Sequence, residues 1–196
     1  MTGPEDGFLR LLETLDRLAI PYMISGSAAS SVHGLARATA DIDLVVQLGE
    51  KDIEQLVASL KTEFYADEDQ ARTALELGRS FNVIHFRSSF KFDLFPLQPE
   101  PFNRSQFSRR QAAEHALFDG SGLRFPVASP EDVILSKLDW YRRGGEVSER
   151  QWNDVLGVLA VQRERLDSGY LRRWAGVLGV TELLEKALAE RHEPLR

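Results

Sequence analysis

The hydrophobic pattern of this chain changes once, near residue 128, and that change limits the folds open to it. Before this point, short apolar runs typical of strands alternate with stretches whose apolar residues recur every three or four positions, as in amphipathic helices. After it, every stretch has helical spacing, beginning at the capping sequence Ser129-Pro-Glu-Asp. Mixed elements followed by helices alone indicate an α+β fold. We predict an α+β domain over residues 1–127 and a helical domain over residues 128–196.

The first unit is predicted to hold a small mixed sheet flanked by helices. A helical stripe of apolar residues runs from Phe8 to Leu18, and Gly34 is expected to end a second helix. Short apolar runs predict strands at 22–24, 42–46, 81–86 and 90–95. The last two runs are joined by Arg87-Ser-Ser and favour a hairpin.

Proline and glycine mark where the predicted elements end. Pro96, Pro99 and Pro101 are interpreted as the end of this sheet region, since proline cannot donate to a strand ladder. A further hairpin is expected over 116–127, across Asp119-Gly-Ser-Gly122. In the second unit, Gly144-Gly145 ends the first helix, and further helices are predicted at about 148–165, 169–178 and 181–191.

Composition excludes several classes of protein. With no cysteine among 196 residues, disulfides, zinc–thiolate sites, iron–sulfur clusters and thiol nucleophiles are excluded. The net charge of −6 gives no broad basic face, so long DNA is not expected as a partner and a large RNA is disfavoured. No apolar stretch reaches the ~20 residues of a membrane span, and the first residues lack a signal-peptide pattern. We therefore expect a cytoplasmic protein with no membrane partner.

Two carboxylates, Asp41 and Asp43, stand in an otherwise apolar predicted strand. Residues i and i+2 of a strand point to one face, with Cα atoms about 6.6 Å apart. The two carboxylates therefore repel one another and lose hydration. A hard cation held by both reverses that cost, and Mg²⁺ prefers oxygen ligands of this kind. The alternative is a strand start with two solvent-facing acids.

A third acid, Asp93, stands alone among apolar neighbours in Lys91-Phe-Asp-Leu-Phe95. An acid inside a strand is costly unless it has a partner. On a strand next to the Asp41–Asp43 pair, it would complete a three-carboxylate metal site. On an edge strand, it would be a surface acid paired with Lys91.

A short turn upstream has the composition of a phosphate site. Gly26 and Ser27 follow a predicted strand and open a predicted helix. Backbone N–H groups at a helix N-terminus bind phosphate, glycine lets the phosphate approach, and a serine hydroxyl adds a hydrogen bond. The alternative is an ordinary turn, since Gly-Ser alone is a weak signal.

The remaining polar candidates are less specific. Arg37 is interpreted either as a phosphate contact or as a solvated surface residue. Lys137 is either a triphosphate contact or a surface lysine whose stem packs on apolar neighbours. Asp154 is interpreted as an exposed helix acid, with a base in the second unit as the alternative. His33 and His85 are interpreted as packed histidines rather than ligands.

The order of these residues resembles the nucleotidyltransferase fold of the DNA polymerase β superfamily, over roughly residues 20–160. Gly34-Leu-Ala-Arg37-Ala-Thr39-Ala-Asp41-Ile-Asp43 carries most of the likeness. Ser129-Pro-Glu-Asp-Val-Ile-Leu-Ser-Lys137-Leu resembles the helix that follows the catalytic unit. The likeness is greatest to small bacterial members, namely abortive-infection (AbiE-type) toxin nucleotidyltransferases and the lincosamide and aminoglycoside nucleotidyltransferases. The sequence departs from the toxins in having a less basic motif around Lys137 and Asp154.

This resemblance implies an Mg-dependent transfer of a nucleoside monophosphate from a nucleoside triphosphate, such as ATP, to a hydroxyl or phosphate acceptor. The acceptor would be RNA such as tRNA, a protein or a small molecule, as in a toxin or a resistance enzyme. Asp41, Asp43 and Asp93 would be catalytic and would hold two Mg²⁺ ions, Asp93 as a ligand or a base. The residues assigned to the nucleotide phosphates are Gly26, Ser27, Arg37 and Lys137. The alternative is a catalytically inactive protein of the same fold that binds nucleotide or regulates a partner.

Overall fold

A computed structural model describes residues 3–115 and 123–190, and in them the chain forms an α+β fold around one seven-stranded sheet. The strands are β1 (Tyr22–Ile24), β2 (Asp41–Val46), β3 (Phe64–Tyr65), β4 (Phe81–His85), β5 (Lys91–Pro96), β6 (Gln111–His115) and β7 (Leu123–Val127). The helices are α1 (Pro4–Arg17), α2 (Gly26–His33), α3 (Glu50–Leu60), α4 (Glu68–Leu77), α5 (Pro101–Ser108), α6 (Pro130–Arg143), α7 (Glu149–Gln162), α8 (Ser168–Leu178) and α9 (Thr181–Glu190), with a 3₁₀ turn at Arg163–Arg165. The predicted α+β class is confirmed.

The sheet is mixed, with the strand order β3-β4-β5-β2-β1-β7-β6. β2 pairs in parallel with β5, and β1 pairs in parallel with β7, while the other neighbours are antiparallel. The predicted hairpin of β4 and β5 is confirmed. Because β5 lies between β4 and β2, the interpretation of Asp93 as an edge-strand acid is wrong.

One face of the sheet is covered by α1. This helix begins with Pro4 at its first position and buries the apolar stripe that the sequence predicts. The Phe8 ring stacks on Phe92 of β5 with centroids 6.4 Å apart and meets Phe125 of β7 edge-on at 5.7 Å. These contacts hold β5 and β7 in one core, so the side chains that alternate with Phe92 must point to the opposite face.

The helices after residue 129 pack onto the sheet region through α2. As predicted, α6 begins with a cap, in which the Ser129 hydroxyl accepts a hydrogen bond from the Asp132 N–H. Gly34 ends α2, as predicted, and a Cβ there would lie 2.8 Å from the backbone nitrogen of Val158 on α7. The absence of a side chain thus lets α2 and α7 approach closely. One apolar core includes residues of both regions, and the division at residue 127 stays a prediction.

Four elements differ from the sequence predictions. β3 and α4 were not predicted, and α5 begins at Pro101, in a stretch interpreted only as an end of sheet. Proline is favoured at the first position of a helix because its missing N–H has no helical partner there. Of the second predicted hairpin, over 116–127, β7 lies within that span, but its antiparallel partner β6 lies before it, at Gln111–His115. The predicted turn at 119–122 lies outside the described residues. Within the described parts of the chain, no helix combines the length and apolarity that a membrane span requires.

Candidate active site

The parallel pairing of β2 with β5 places the three predicted acids on one face of the sheet. Asp43 and Asp93 are direct partners in the register, and Asp41 is the partner of Lys91. Ile42 and the residues beside Asp93 are buried on the other side, as the alternating burial of both strands requires. The structure therefore brings Asp41, Asp43 and Asp93 together.

Lys91 lies between two of these acids. Its Nζ is 2.7 Å from Asp93 Oδ2 and 3.2 Å from Asp41 Oδ2. The hydrogen bond to Asp93 is the largest cause that raises the pKa of Lys91, so the ammonium stays charged. The other oxygen of Asp93 accepts a hydrogen bond from the Asn82 amide on β4. Lys91 and Asn82 together fix the Asp93 carboxylate.

With these contacts in place, the three acids do not form a complete, preformed set of metal ligands. Among residues 3–115 and 123–190, no group of three Asp, Glu or His side chains is arranged to hold a metal ion. Both oxygens of Asp93 already accept from side-chain donors, and one oxygen of Asp41 faces Lys91. The donor set still fits a hard cation in its chemistry, because three carboxylates share a face with a single ammonium. Ligation by all three acids stays a prediction.

Asp43 is the least compensated of the three acids. Its carboxylate has no hydrogen bond or ion pair from any residue that the structure describes. Burial is the largest cause that raises the pKa of Asp43 to about 6; the charges of Asp41 and Asp93 raise it further, and those of Lys137 and Lys91 lower it. A carboxylate that is desolvated and repelled in this way favours the arrival of a cation.

Gly26 makes room for the Asp43 carboxylate at the start of α2. A Cβ on Gly26 would lie 1.8 Å from Asp43 Oδ2, and the backbone has φ of +56°, which glycine adopts without strain. A backbone hydrogen bond of 2.9 Å from Ser25 N–H to Asp43 O ties the turn to β2. Ser25 does not cap the helix with its side chain. The N-terminus of α2 therefore lies beside the acids, with its first N–H groups not capped by Ser25.

A second polar cluster begins one residue further along α2. The Ser27 hydroxyl accepts hydrogen bonds from Arg37 Nη2 at 2.6 Å and from Lys137 Nζ at 3.5 Å. Arg37 also makes a bidentate ion pair with Asp154, at 2.8 and 2.9 Å, and Lys137 Nζ lies 2.8 Å from the same carboxylate. All four predicted phosphate-binding residues, Gly26 included, thus lie along one wall of the site.

Asp154 is buried, and its interpretation as an exposed helix acid is wrong. Burial raises the pKa of Asp154, but hydrogen bonds from Arg37 and Lys137 outweigh it and hold the pKa below its usual value. Asp154 therefore stays ionised and positions two cations. A buried lysine at 137 also excludes the surface-lysine alternative.

Sequence reasoning missed Asn82 and misjudged the burial of Asp154. Asn82 stands in the apolar run Phe81-Asn-Val-Ile-His, and its polar side chain alternates with buried neighbours, which is the signal that could have identified it. The burial of Asp154 gives no such signal, because one partner, Arg37, lies more than a hundred residues away along the chain and the other, Lys137, is on a different helix. The prediction for both histidines is confirmed: His33 and His85 are buried, and His33 Nε2 lies 2.7 Å from Ala128 O.

Comparison with solved structures gives the fold a name. No protein-family model and no curated protein sequence matches the chain. A crystal structure of ANT(2'')-Ia in complex with adenylyl-2''-tobramycin is similar, with a TM-score of 0.55, 15% identity, and coverage of 88% of this chain and 94% of that one. A solution structure of the antibiotic-resistance factor ANT(2'')-Ia has a TM-score of 0.52 and 16% identity, with 94% of each chain covered.

A third similar structure is an antigenic nucleotidyltransferase-like protein from Paracoccidioides brasiliensis. Its TM-score is 0.52 at 19% identity, and the match covers 93% of this chain and 91% of that one. At these identities the likeness concerns the arrangement of helices and strands. This chain has the nucleotidyltransferase fold.

Proposed function

We propose that this protein is a nucleotidyltransferase, which moves a nucleoside monophosphate from a nucleoside triphosphate to a hydroxyl or phosphate acceptor. The observation that carries the proposal is the placement of Asp41, Asp43 and Asp93 on one face, next to the N-terminus of α2. Carboxylates for a cation and N–H groups for phosphate are the two halves of a metal–triphosphate site.

In this proposal, Asp41, Asp43 and Asp93 hold divalent metal, for which Mg²⁺ is the expected ion. A divalent ion bound there would neutralise phosphate charge as pyrophosphate leaves. The acceptor oxygen forms a bond to the α-phosphorus, and the bond from that phosphorus to the pyrophosphate oxygen breaks. The acceptor proton passes to Asp93 or to solvent.

The basic wall of the site takes the triphosphate. The first N–H groups of α2 and the Ser27 hydroxyl donate to phosphate oxygens, and Arg37 and Lys137 supply positive charge beside them. Asp154 holds both cations in place. Phosphoryl transfer depends mainly on such positioning and charge neutralisation.

One observation favours a second candidate, a protein of this fold that binds nucleotide without turnover. Lys91 already neutralises part of the acid cluster, as a protein that performs no transfer would permit. Such a binder predicts no pyrophosphate release with any acceptor, together with similar, modest affinity losses when each of the three acids is changed.

The test is an assay of pyrophosphate release and label transfer. The protein is incubated with each labelled nucleoside triphosphate, Mg²⁺ or Mn²⁺, and a panel of acceptors: tobramycin, as an aminoglycoside related to the ligand of ANT(2'')-Ia, then tRNA, and protein from cell extract. The labelled fraction distinguishes a resistance-type enzyme from one that modifies RNA or protein.

Two matched variants test whether nucleotide binding and transfer depend on the proposed site. Asp41→Asn should lose both nucleotide binding and transfer, because it removes a proposed ligand of the ion that carries the triphosphate. Asp69→Asn, an exposed acid on α4, is the control and should behave as wild type. If wild type binds nucleotide but releases no pyrophosphate with any acceptor of the panel, the enzymatic function is overturned in favour of the binding protein.

A further inference from the structure

Lys91 is placed by the sheet itself in the middle of the acid cluster. It is the register partner of Asp41 across the β2–β5 pair, and it lies two residues before Asp93 on the same face of β5. Both neighbours are therefore fixed by backbone pairing rather than by a flexible loop. The ammonium accordingly reaches Asp93 at 2.7 Å and Asp41 at 3.2 Å.

The carboxylate oxygens that remain without a contact to Lys91 or Asn82 belong to Asp41 and Asp43. Asp93 has one oxygen with Lys91 and one with Asn82. Asp43 accepts no side-chain hydrogen bond from the described residues, and the second oxygen of Asp41 has only a 3.4 Å contact with the Thr39 hydroxyl. A metal ion thus finds open ligands on Asp41 and Asp43.

The formal charges also favour a single metal ion at this cluster. The three carboxylates and the Lys91 ammonium that contacts two of them leave a formal charge of −2, which one divalent ion cancels. Lys137 also acts on Asp43 through its charge, but its own ion-pair partner is Asp154, at 2.8 Å. A second divalent ion, without nucleotide to balance it, would make the cluster positive and would meet the ammonium of Lys91 as a like charge. Mg²⁺ commonly binds through one or two carboxylates plus waters or phosphates, so two acids are sufficient ligands.

We propose that Lys91 is the resident cation of this site: it occupies the position between Asp41 and Asp93 and limits the nucleotide-free protein to one divalent ion, held by Asp41 and Asp43. The inference rests on the proposed function for the metal site, and it concerns the nucleotide-free state, whereas the expectation of two metal ions concerns the site with its triphosphate. Lys91 acts here by positioning Asp93 and by excluding a second ion.

The test counts bound ions directly. Mn²⁺ is titrated into nucleotide-free protein, and free Mn²⁺ is followed by electron paramagnetic resonance. Wild type should bind one ion. Lys91→Met, which keeps the length of the side chain and removes its charge, should bind two ions, the second at least tenfold more tightly than any residual binding of a second ion by wild type. Lys91→Arg should restore the count to one.

Two controls separate charge from folding. Lys61→Met removes an exposed lysine after α3 and should leave the count at one. In EDTA, Lys91→Met should have a lower Tm than wild type, and Mn²⁺ should raise that Tm by more than it raises the Tm of wild type. If Lys91→Met does not fold, Lys91→Gln, which retains a hydrogen-bond donor without charge, takes its place with the same expectation.

The outcomes distinguish this inference from the proposed function. Two ions in wild type, or the same count and affinity in wild type and in Lys91→Met, would overturn the role of Lys91 whatever the transfer assay gives. A second ion that appears only when the charge of Lys91 is removed supports that role. If wild type releases no pyrophosphate but still binds fewer ions than Lys91→Met, the proposed enzymatic function is overturned instead. Lys91 is then the resident cation of a binding protein.

Discussion

Asp132 and Asp43 are both desolvated carboxylates with raised pKa values, but their surroundings are opposite. Asp132, fully buried on α6, accepts hydrogen bonds from the Tyr170 hydroxyl at 2.6 Å and the Ser129 hydroxyl at 2.7 Å, and Arg109 lies 3.5 Å away. These groups offset much of the effect of burial. Around Asp43, Asp41 and Asp93 add to the effect of burial, and Lys137 and Lys91 oppose it through their charge alone, without a hydrogen bond to Asp43. The molecule gives direct partners to the carboxylate that serves its structure and none, among the described residues, to the one at the candidate site.

The largest expected effect tests whether Asp132 stabilises the fold, because this comparison fails if Asp132 can be replaced with little loss in the free energy of unfolding. Asp132→Ala removes the buried acceptor of the Tyr170 and Ser129 hydroxyls and one of the two carboxylates beside Arg109, so the free energy of unfolding should fall by about 3 kcal/mol or more. Urea denaturation measures it. Asp132→Asn, which keeps the shape and one acceptor oxygen, should lose less. A loss below about 1 kcal/mol for the alanine variant would contradict the structural role.

The second test asks whether an acid of the site contributes to chemistry rather than to stability. Asp93→Asn should lower turnover by about 100-fold, the usual range for loss of a positioned base. The free energy of unfolding should change by under about 1 kcal/mol, because Lys91 can still donate to the amide oxygen and the Asn82 amide, once turned over, can accept from the amide NH₂. Pyrophosphate release and urea denaturation give the two numbers. Undiminished turnover would contradict the role of Asp93.

The third test uses the pH dependence of stability. Because the pKa of Asp43 is about 6 in the folded protein and 3.8 in the unfolded chain, the folded state binds this proton more tightly. As pH rises from about 4 to about 6, the unfolded chain loses the proton first, so stability falls, and it stays reduced at higher pH. Asp43→Asn should therefore gain about 2 kcal/mol at pH 8 in EDTA and nothing at pH 4.

That gain should be absent in Asp69→Asn, whose carboxylate is exposed on α4. Urea denaturation at both pH values is the measurement. An equal gain at pH 4 and pH 8 would show that the amide improves packing against Gly26 and that the charge of Asp43 is not the cause.

The smallest expected effect concerns the phosphate-binding wall. Ser27→Ala removes one hydroxyl that contacts Arg37 and Lys137, so triphosphate affinity with Mg²⁺ should fall about fivefold, or about 1 kcal/mol. Ser80→Ala, in an exposed position before β4, is the control. Titration with a fluorescent nucleotide measures both, and an unchanged affinity for Ser27→Ala would remove that hydroxyl from the phosphate site.

Local patterns predicted the elements that have a strong apolar period. The stripe of α1, the apolar strands β2 and β5 and the Ser129 cap of α6 all follow from neighbouring residues. The weakly apolar α4 was missed, because it buries only Ala71 and Ala74. Its start and end nevertheless have signals, a cap by Asp67 and a left-handed Gly78.

The site depends on contacts that no local pattern contains. The sequence predicts that Asp41 and Asp43 share a face, but the partnership of Asp43 with Asp93 depends on a parallel pairing between strands fifty residues apart. The burial of Asp154 depends on the docking of α7 against α2. Charge and spacing identified these acids as candidates, and tertiary structure decides which of them are compensated.

The two ion pairs that Arg37 and Lys137 form with Asp154 affect how readily and how selectively an anion can bind. Two long side chains have already lost their rotamer freedom when the protein folds, so an incoming anion need not order them. The carboxylate of Asp154 also competes with that anion for the same donors. A singly charged anion should therefore bind weakly, whereas a polyphosphate can reach both cations and the end of α2 at once. Because Arg37 and Lys137 are held in place and Asp154 competes for them, this part of the site selects ligands by charge as well as by shape.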